Sequence, residues 1–282
     1  MPSYVLAYHS HRVLGVDYAD NDHVALAADL QLIHDAGCRI VPLASIVDGV
    51  KGSDAAEPRN DKVPLVGITF DDGPIYDAVD FTHPRFGPQR GFLNVLRDFV
   101  CANGPGAQPA LHATSFVIAS PDAREAMETT YDASCSHVGP GAMHDGWWAP
   151  AIATGLLAIA NHSWDHLHAG LPRVAHSAQA RGDFTRVCSF DDADAQIAAA
   201  NAWIGRRTDG RSAPFFAYPF GQYNAFLTDR YFPARGRDIG VFAAFTTDAR
   251  PIGTNDNIWC LPRYVCGHDW TAPEALRSIV LA

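Results

Sequence analysis

Several features are missing from this 282-residue sequence, and each absence removes a class of protein. No run of about 18 or more apolar residues occurs, so no membrane span is expected. Lys and Arg total 21 against 31 Asp and Glu. The resulting formal charge of −10 disfavours nucleic acid as a partner, because phosphate binding depends on clustered basic residues. The six cysteines include no CxxC pair, so neither a structural zinc site nor a thioredoxin-like motif is predicted.

The N-terminus, MPSYVLAYHS, also lacks the pattern of a secretory signal, in which a basic segment precedes an apolar one. We therefore expect a cytoplasmic protein, or one from which a leader has been removed. The thiols are expected to be reduced and mostly buried, where they act as small apolar groups.

Short apolar runs alternate with segments of helical periodicity along the chain. The runs predict strands at Tyr4–Tyr8, Arg39–Leu43, Leu65–Phe70, Ala113–Ala119, Leu156–Ala160, Pro214–Tyr218, Val241–Thr246 and Trp259–Cys266. Helices are predicted over Asn21–Gly37, Phe92–Val100, Ser189 to about Arg206, near Asp229, and Pro273–Leu281. The alternation predicts an α/β protein with a mainly parallel sheet or barrel, in one domain over residues 1–282.

Two intervals are rich in predicted loop: Lys51–Lys62, and Pro74 to about Pro150. Long loops inside a compact domain are usually functional. Because strong strands flank both, we interpret them as insertions, the second of which (74–150) is expected to shape a substrate groove.

Polar or turn-forming residues stand directly after four of the predicted strands. They are His9, Asp71, Asp72, His162, Pro219 and Gly221. In parallel α/β folds the catalytic groups collect at the carboxyl ends of the strands. The sequence therefore predicts that these residues meet at one rim.

The first motif is T-F-D-D-G, from Thr69 to Gly73. Successive side chains on a strand point to opposite sides, so the two carboxylates must diverge. One of them can then bind a metal while its neighbour faces a substrate, and Gly73 allows a sharp turn. A surface DDG turn is the alternative.

The second motif is H-S-W-D-H, from His162 to His166. We interpret it as a helical turn, in which two histidines four residues apart share a face and can bind one ion. Ser163 could orient one of these ligands through a hydrogen bond. Because the chain has 13 histidines, a chance pair is the alternative.

Taken together, T-F-D-D and H-S-x-x-H resemble the first two motifs of the NodB-like polysaccharide deacetylases (carbohydrate esterase family 4). The resemblance extends from His9 to about Cys266, with sharp matches confined to short segments. It implies an irregular (β/α) barrel with about seven parallel strands and long insertions. It also implies a divalent ion held by Asp72, His162 and His166, with zinc preferred and cobalt, nickel or iron as alternatives, and Asp71 as the general base.

The third motif of this family is usually R-x-P-Y, whose arginine holds the catalytic base. This sequence has A-Y-P-F-G over residues 217–221 instead, a form that is similar to the branch of poly-β-1,6-N-acetylglucosamine deacetylases. Since Ala217 replaces the arginine, another cation is needed near Asp71. Arg263 is the candidate, and an unrelated surface ion pair is the alternative for that arginine.

The same segment, Tyr218, Pro219 and Phe220, is predicted to contact the substrate, with a backbone N–H near Tyr218 or Phe220 binding the oxyanion. The last family motif, L-x-H, is missing, since the chain ends in SIVLA. The resemblance implies instead that His9, in the pair Tyr8-His9, is the general acid. A structural role for this histidine is the alternative.

The resemblance implies a metal-dependent hydrolase that removes N-acetyl groups from a carbohydrate containing N-acetylglucosamine, by means of metal-activated water. An O-acetyl esterase, another amide hydrolase on the same scaffold, and a carbohydrate-binding pseudoenzyme stay open as alternatives. The sequence leaves the sugar, its linkage and the oligomeric state open.

Overall fold

The structure, a computed structural model, describes residues 3–52, 63–130 and 138–282. Its strands are β1 Ser3–Tyr8, β2 Arg39–Ile40, β3 Leu65–Phe70, β4 Phe81–His83, β5 Gly87–Gln89, β6 Ala113–Val117, β7 Leu157–Asn161, β8 Phe215–Ala217, β9 Ala243–Phe245 and β10 Tyr264–Val265. Its α-helices are α1 Asp22–Asp35, α2 Leu43–Val50, α3 Phe92–Asn103, α4 Pro121–Thr130, α5 Trp148–Ile152, α6 Phe190–Ala193, α7 Ala199–Arg207, α8 Phe232–Arg235 and α9 Pro273–Val280. Within these ranges no helix has the length and apolar character needed to cross a membrane.

One large parallel sheet organises the described chain. Its strands run in the order β10-β1-β3-β6-β7-β8-β9, and β2 pairs with β3 beside this path. Every pair of neighbours is parallel. The two ends of the path approach each other through the segment 261–265, because Leu261 forms a parallel bridge with Phe245 while β10 pairs with β1. The sheet is therefore curled into an irregular (β/α) barrel, which confirms the predicted fold class.

Both faces of this sheet are covered, which explains why its strands are continuous apolar runs. On β1, Tyr4, Leu6 and Tyr8 belong to the outer layer formed with α1, α3 and α9. Val5 belongs instead to the core inside the barrel, together with Phe116 and Phe245 among others. The first strand is thus buried along its whole length.

The clearest differences from the predicted elements concern two strands and the interval 74–150. The predicted strand Arg39–Leu43 ends at Ile40, because Pro42, which has no N–H to donate to a ladder, precedes helix α2. The predicted strand Trp259–Cys266 is reduced to β10, since its first half makes only one isolated bridge while crossing from β9 towards β1. In the interval 74–150, helix α3 and barrel strand β6 lie where a helix and a strand were predicted, and the structure adds the antiparallel pair β4–β5 and helices α4 and α5.

The cysteines differ in part from the expectation of buried thiols. Those described are free, and Cys38 and Cys266 are buried, but Cys101 and Cys188 are exposed. Cys135 lies outside the described residues, as do residues 53–62 of the predicted loop Lys51–Lys62. The expectation is therefore wrong for the two exposed thiols.

Candidate active site

The carboxyl ends of the parallel strands place the candidate residues at one rim of the barrel. His9 follows β1, Asp71 follows β3, His162 follows β7 and Tyr218 follows β8. Strands β1 and β3 are direct neighbours, with Tyr8 aligned to the last residue of β3. The rim therefore brings together side chains that are far apart in sequence.

The two adjacent carboxylates diverge because the backbone turns between them. Asp71 still follows the sheet, since its N–H donates to Tyr8 O at 3.1 Å. Asp72 then has a φ of 72° and Gly73 a φ of 76°, both in the left-handed region. A non-glycine residue in this region is uncommon and often marks a functional position. The turn directs Asp72 away from its neighbour.

Asp72 meets two imidazoles. Its Oδ1 lies 3.5 Å from His162 Nε2 and 3.6 Å from His166 Nε2, and all three side chains are buried. Ligand atoms around a tetrahedral ion with bonds of about 2.0–2.1 Å lie roughly 3.3–3.4 Å apart. The observed separations match that spacing, and one carboxylate with two imidazoles is a donor set that zinc and similar ions accept. These residues therefore fit a divalent metal ion.

His162 and His166 are suited to metal binding by different interactions with the surrounding protein. His162 Nδ1 donates to Ala217 O at 2.9 Å, because a carbonyl oxygen can only accept, and this orients the ring so that Nε2 faces Asp72. Burial lowers the pKa of His166 to about 3, despite the opposing effect of Asp72. His166 is thus neutral, as a metal ligand must be.

The predicted helical turn at H-S-W-D-H is wrong. The segment is an irregular loop, in which Ser163 has a φ of 74° and His166 a φ of 60°, outside the helical region. Side chains cap its N–H groups: Asn161 Oδ1 accepts from Ser163 N at 2.8 Å, and Ser163 Oγ accepts from His166 N at 2.9 Å. These local bonds compete with helical ones. Ser163 therefore orients the His166 backbone, and the two imidazoles meet without a helix.

The other carboxylate, Asp71, forms a bidentate ion pair with Arg263. The guanidinium donates from Nη1 to Asp71 Oδ1 at 2.7 Å and from Nη2 to Oδ2 at 2.8 Å. Its remaining donors reach Thr246 O and Thr69 Oγ1, each at 3.1 Å. Burial alone would raise the pKa of Asp71, but the Arg263 guanidinium, together with His162, holds it well below its ordinary value. The structure thus places the buried Arg263 guanidinium directly against the Asp71 carboxylate.

Two histidines extend from the end of β1. His9 is half-buried, and its ring lies edge-on to that of His11, with the ring centroids 5.5 Å apart. His11 is buried, with its Nε2 3.8 Å from Asp72 Oδ2. His11 is not among the predicted site residues. His11 lies in the turn that follows β1, so the alternation of side chains along a strand gives no signal for it.

The residues of the segment after β8, Tyr218 to Phe220, differ in burial and in their contacts with the site. Tyr218 is fully buried, its N–H donates to Phe245 O at 3.0 Å and its hydroxyl donates to Trp259 O at 2.7 Å. The Tyr218 N–H is therefore already engaged and Pro219 has no N–H, so the prediction of an oxyanion donor near Tyr218 or Phe220 stays with Phe220. Phe220 is the remaining member of the predicted trio. It is 49% exposed, has a φ of 57°, and places its ring edge-on to His166 at 4.3 Å between centroids.

No protein-family model matches the chain, and no curated protein matches it in sequence. Solved structures do match it over nearly its whole length. Streptococcus pyogenes deacetylase PplD, in complex with acetate, superposes with a TM-score of 0.62 at 14% identity, covering 99% of this chain and 98% of that one. IcaB from Ammonifex degensii gives 0.61 at 18% identity, with coverages of 100% and 97%.

A third match is a de-N-acetylase from Aggregatibacter actinomycetemcomitans, with a TM-score of 0.62 at 15% identity, covering 99% of this chain and 100% of that one. At such low identities the likeness establishes a shared fold. The chain therefore shares the barrel of these three structures over nearly their full length and its own.

Proposed function

We propose that this chain is a metal-dependent hydrolase that removes N-acetyl groups from a polysaccharide or oligosaccharide containing N-acetylglucosamine. The main observation behind this proposal is the buried group of Asp72, His162 and His166. A second carboxylate, Asp71, stands directly before Asp72 in the chain and forms an ion pair with Arg263. The fold supports the proposal, because one structure with the same barrel is described as a de-N-acetylase. This reading also implies a carbohydrate partner.

Asp72, His162 and His166 would hold the ion, for which we propose zinc, although the same donor set suits cobalt, nickel or iron. A divalent ion held there supplies Lewis acidity and lowers the pKa of water from about 15.7 towards about 7. Three protein ligands leave room for water and substrate, as in catalytic zinc sites. The protein's part is to aim both imidazoles at one point and to keep His166 neutral.

Asp71 is the proposed general base. Arg263 keeps it ionised, so it can accept a proton from the attacking water at neutral pH. The two-point contact with Arg263 fixes the plane of the carboxylate while each oxygen retains a further lone pair. Asp71 therefore accepts the proton from a defined direction, close to the imidazoles of the site.

Two further groups complete the proposed reaction. The Phe220 N–H is the oxyanion donor that remains from the segment Tyr218–Phe220. Loss of one such donor typically raises the activation free energy of the reaction by about 3–4 kcal/mol. His9 is proposed as the general acid that protonates the leaving amine, which departs poorly without a proton. Its place at the end of β1, beside His11, is compatible with this role.

The substrate class can be tested by measuring acetate release from chitin oligomers, β-1,6-linked N-acetylglucosamine oligomers and acetylated xylan. We expect release from an N-acetylated oligomer. Release from xylan alone would favour an O-acetyl esterase. No release from any member by the metal-loaded protein, together with sugar binding, would favour a pseudoenzyme.

The site assignment is tested separately by Asp71→Asn. This variant keeps the metal ligands and nearly the same shape but loses the base, so we expect a full equivalent of bound metal and no measurable turnover. Bound metal is counted by elemental analysis, and turnover by acetate release. Wild-type turnover by Asp71→Asn would remove Asp71 from the mechanism.

A further inference from the structure

A tight turn follows β1 and is held from several directions. The turn His9–Arg12 is closed by Arg12 N donating to His9 O at 2.9 Å. Asp22 accepts from His9 N at 2.8 Å and from the Arg12 guanidinium at 2.9 Å. His23 Nε2 lies 2.7 Å from Ser10 O, a carbonyl that can only accept. The backbone of the turn is therefore fixed on the side of α1.

The opposite side of the turn is fixed by a carboxyl group that the proposed mechanism does not use. Asp77 is fully buried, and Ser10 Oγ lies 2.5 Å from its Oδ1. Its Oδ2 lies 2.6 Å from Ser115 Oγ, on the barrel strand β6. Burial, with a smaller effect of Asp72 and Asp71, raises the pKa of Asp77 to about 8. A largely neutral carboxyl can donate to one hydroxyl and accept from the other.

These hydrogen bonds of the turn determine the position of His11. Its imidazole lies 3.8 Å from the Oδ2 atom of Asp72, whereas His162 and His166 face the Oδ1 atom. His11 therefore occupies the space beside the outer oxygen and limits rotation of the carboxylate. Groups that orient a metal ligand typically contribute about 10–100-fold to metal affinity or activity.

We propose that Asp77 and Ser10 are positioning residues of the metal site, which hold the turn His9–Arg12 so that His11 stands against the outer oxygen of Asp72. The inference rests on the proposed function, because it takes Asp72 and its two histidines as the metal site. It adds residues from two separate segments of the chain, the turn after β1 and the segment after β3, to the support of one ligand.

Ser10 and Ser115 provide a matched pair of variants. Both side chains are fully buried and each hydroxyl contacts Asp77, but only Ser10 lies in the turn beside His11. Ser10→Ala and Ser115→Ala should therefore lower the thermal midpoint by similar amounts. Only Ser10→Ala should release the turn.

The experiment measures the dissociation constant of Co²⁺ for the full chain, from its visible absorption, without any substrate. We expect weakening of about tenfold or more for Ser10→Ala, His11→Ala and Asp77→Ala, and a change within about threefold for Ser115→Ala. Asp77→Asn should also stay within about threefold, because an amide has one acceptor and one donor face and restores both contacts.

Equal weakening by Ser10→Ala and Ser115→Ala would overturn the inference, since it would show a general loss of stability. Wild-type affinity in His11→Ala, or Asp77→Asn as weak as Asp77→Ala, would overturn it as well. These outcomes leave the proposed function intact. A wild-type chain that binds no Co²⁺ would instead contradict the proposed function together with the inference.

Discussion

Arg263 and Asp71 lie 192 residues apart in the sequence and form a two-point ion pair inside the barrel. The arginine comes from the segment that joins the two ends of the sheet, between Leu261 and Val265. Its Nε donates to Thr246 O, just past the last residue of β9. The segment that closes the barrel therefore also carries the cation that contacts the proposed base.

Replacing Arg263 should cost more stability than replacing an arginine in an exposed pair. Arg263→Gln leaves a buried carboxylate without its cation, a change that typically costs about 3–5 kcal/mol. Arg263→Lys should lose less, since it retains the charge but not the planar two-point contact. The free energies of unfolding can be measured by urea denaturation.

The matched control for this prediction is Arg235→Gln. Arg235 is 43% exposed in its pair with Asp194, at 2.9 Å, and exposed pairs contribute about 0–1 kcal/mol. A loss in Arg263→Gln no larger than that of the control would show that the buried pair contributes little.

The same substitution should move the acid limb of the pH profile. In the wild type, Arg263 keeps the pKa of Asp71 depressed against the opposing effect of burial. A depressed carboxyl stabilises the fold above its unfolded pKa of about 3.9, and that stability is lost as pH falls through the folded pKa. Protonation of Asp71 should therefore not limit wild-type kcat/KM near or above pH about 4.

In Arg263→Gln, burial is no longer opposed by the guanidinium, so the pKa of Asp71 rises. The acid limb of kcat/KM should then lie at higher pH than in the wild type, as measured by acetate release across a pH series. An acid limb at the same pH in both proteins would show that Asp71 is not the group whose protonation controls the reaction.

What the sequence could predict depended on regular strands. Asp71 and His162 could be placed at one rim because parallel strands end at the same side of a sheet, and the runs before them are largely apolar. A strand buried on both faces has such a sequence, and the strand–helix alternation then predicts the barrel.

What it could not predict depended on irregular backbone. The spacing of His162 and His166 is also that of a helix, and only left-handed residues and side-chain caps make it a loop. His11 lies beyond the end of β1, in a turn whose direction is set by partners such as Asp77, far along the chain. The short strand β10 is defined by its neighbours in space and has little periodicity of its own.

Metal binding should raise the thermal midpoint of the protein. A ligand at about 1,000 times its dissociation constant stabilises the native state by about 4 kcal/mol, which for a chain of this size is a shift of several degrees. Zn²⁺ added after chelation should produce that shift, as measured by differential scanning calorimetry. His162→Ala should abolish it, because the loss removes one of three ligands.

The control for this measurement is His268→Ala, since His268 is 82% exposed and contacts only its neighbour Asp269 among the ion pairs described. This variant should keep the full shift. A full shift in His162→Ala would mean that the stabilising ion binds elsewhere.

Gly73→Ala should damage both the fold and the metal site. An alanine Cβ at this position would lie 2.5 Å from Val117 Cγ1, on a backbone with φ of 76°. The left-handed backbone costs a non-glycine residue about 1–2 kcal/mol, and overpacking a well-filled site adds about 1–3 kcal/mol. Because Gly73 follows Asp72, relief of the clash should also displace that ligand and weaken Zn²⁺ binding by about tenfold or more.

Gly37→Ala separates the two contributions. Gly37 has nearly the same φ, 74°, but no atom lies within 4 Å of the added Cβ. It should therefore show the backbone cost of about 1–2 kcal/mol alone, with unchanged Zn²⁺ affinity. Urea denaturation and zinc titration of both variants provide the measurements. Equal losses of stability in the two variants would show that the clash with Val117 contributes nothing. Unchanged Zn²⁺ affinity in Gly73→Ala would show that the turn after Asp72 does not set the position of this carboxylate.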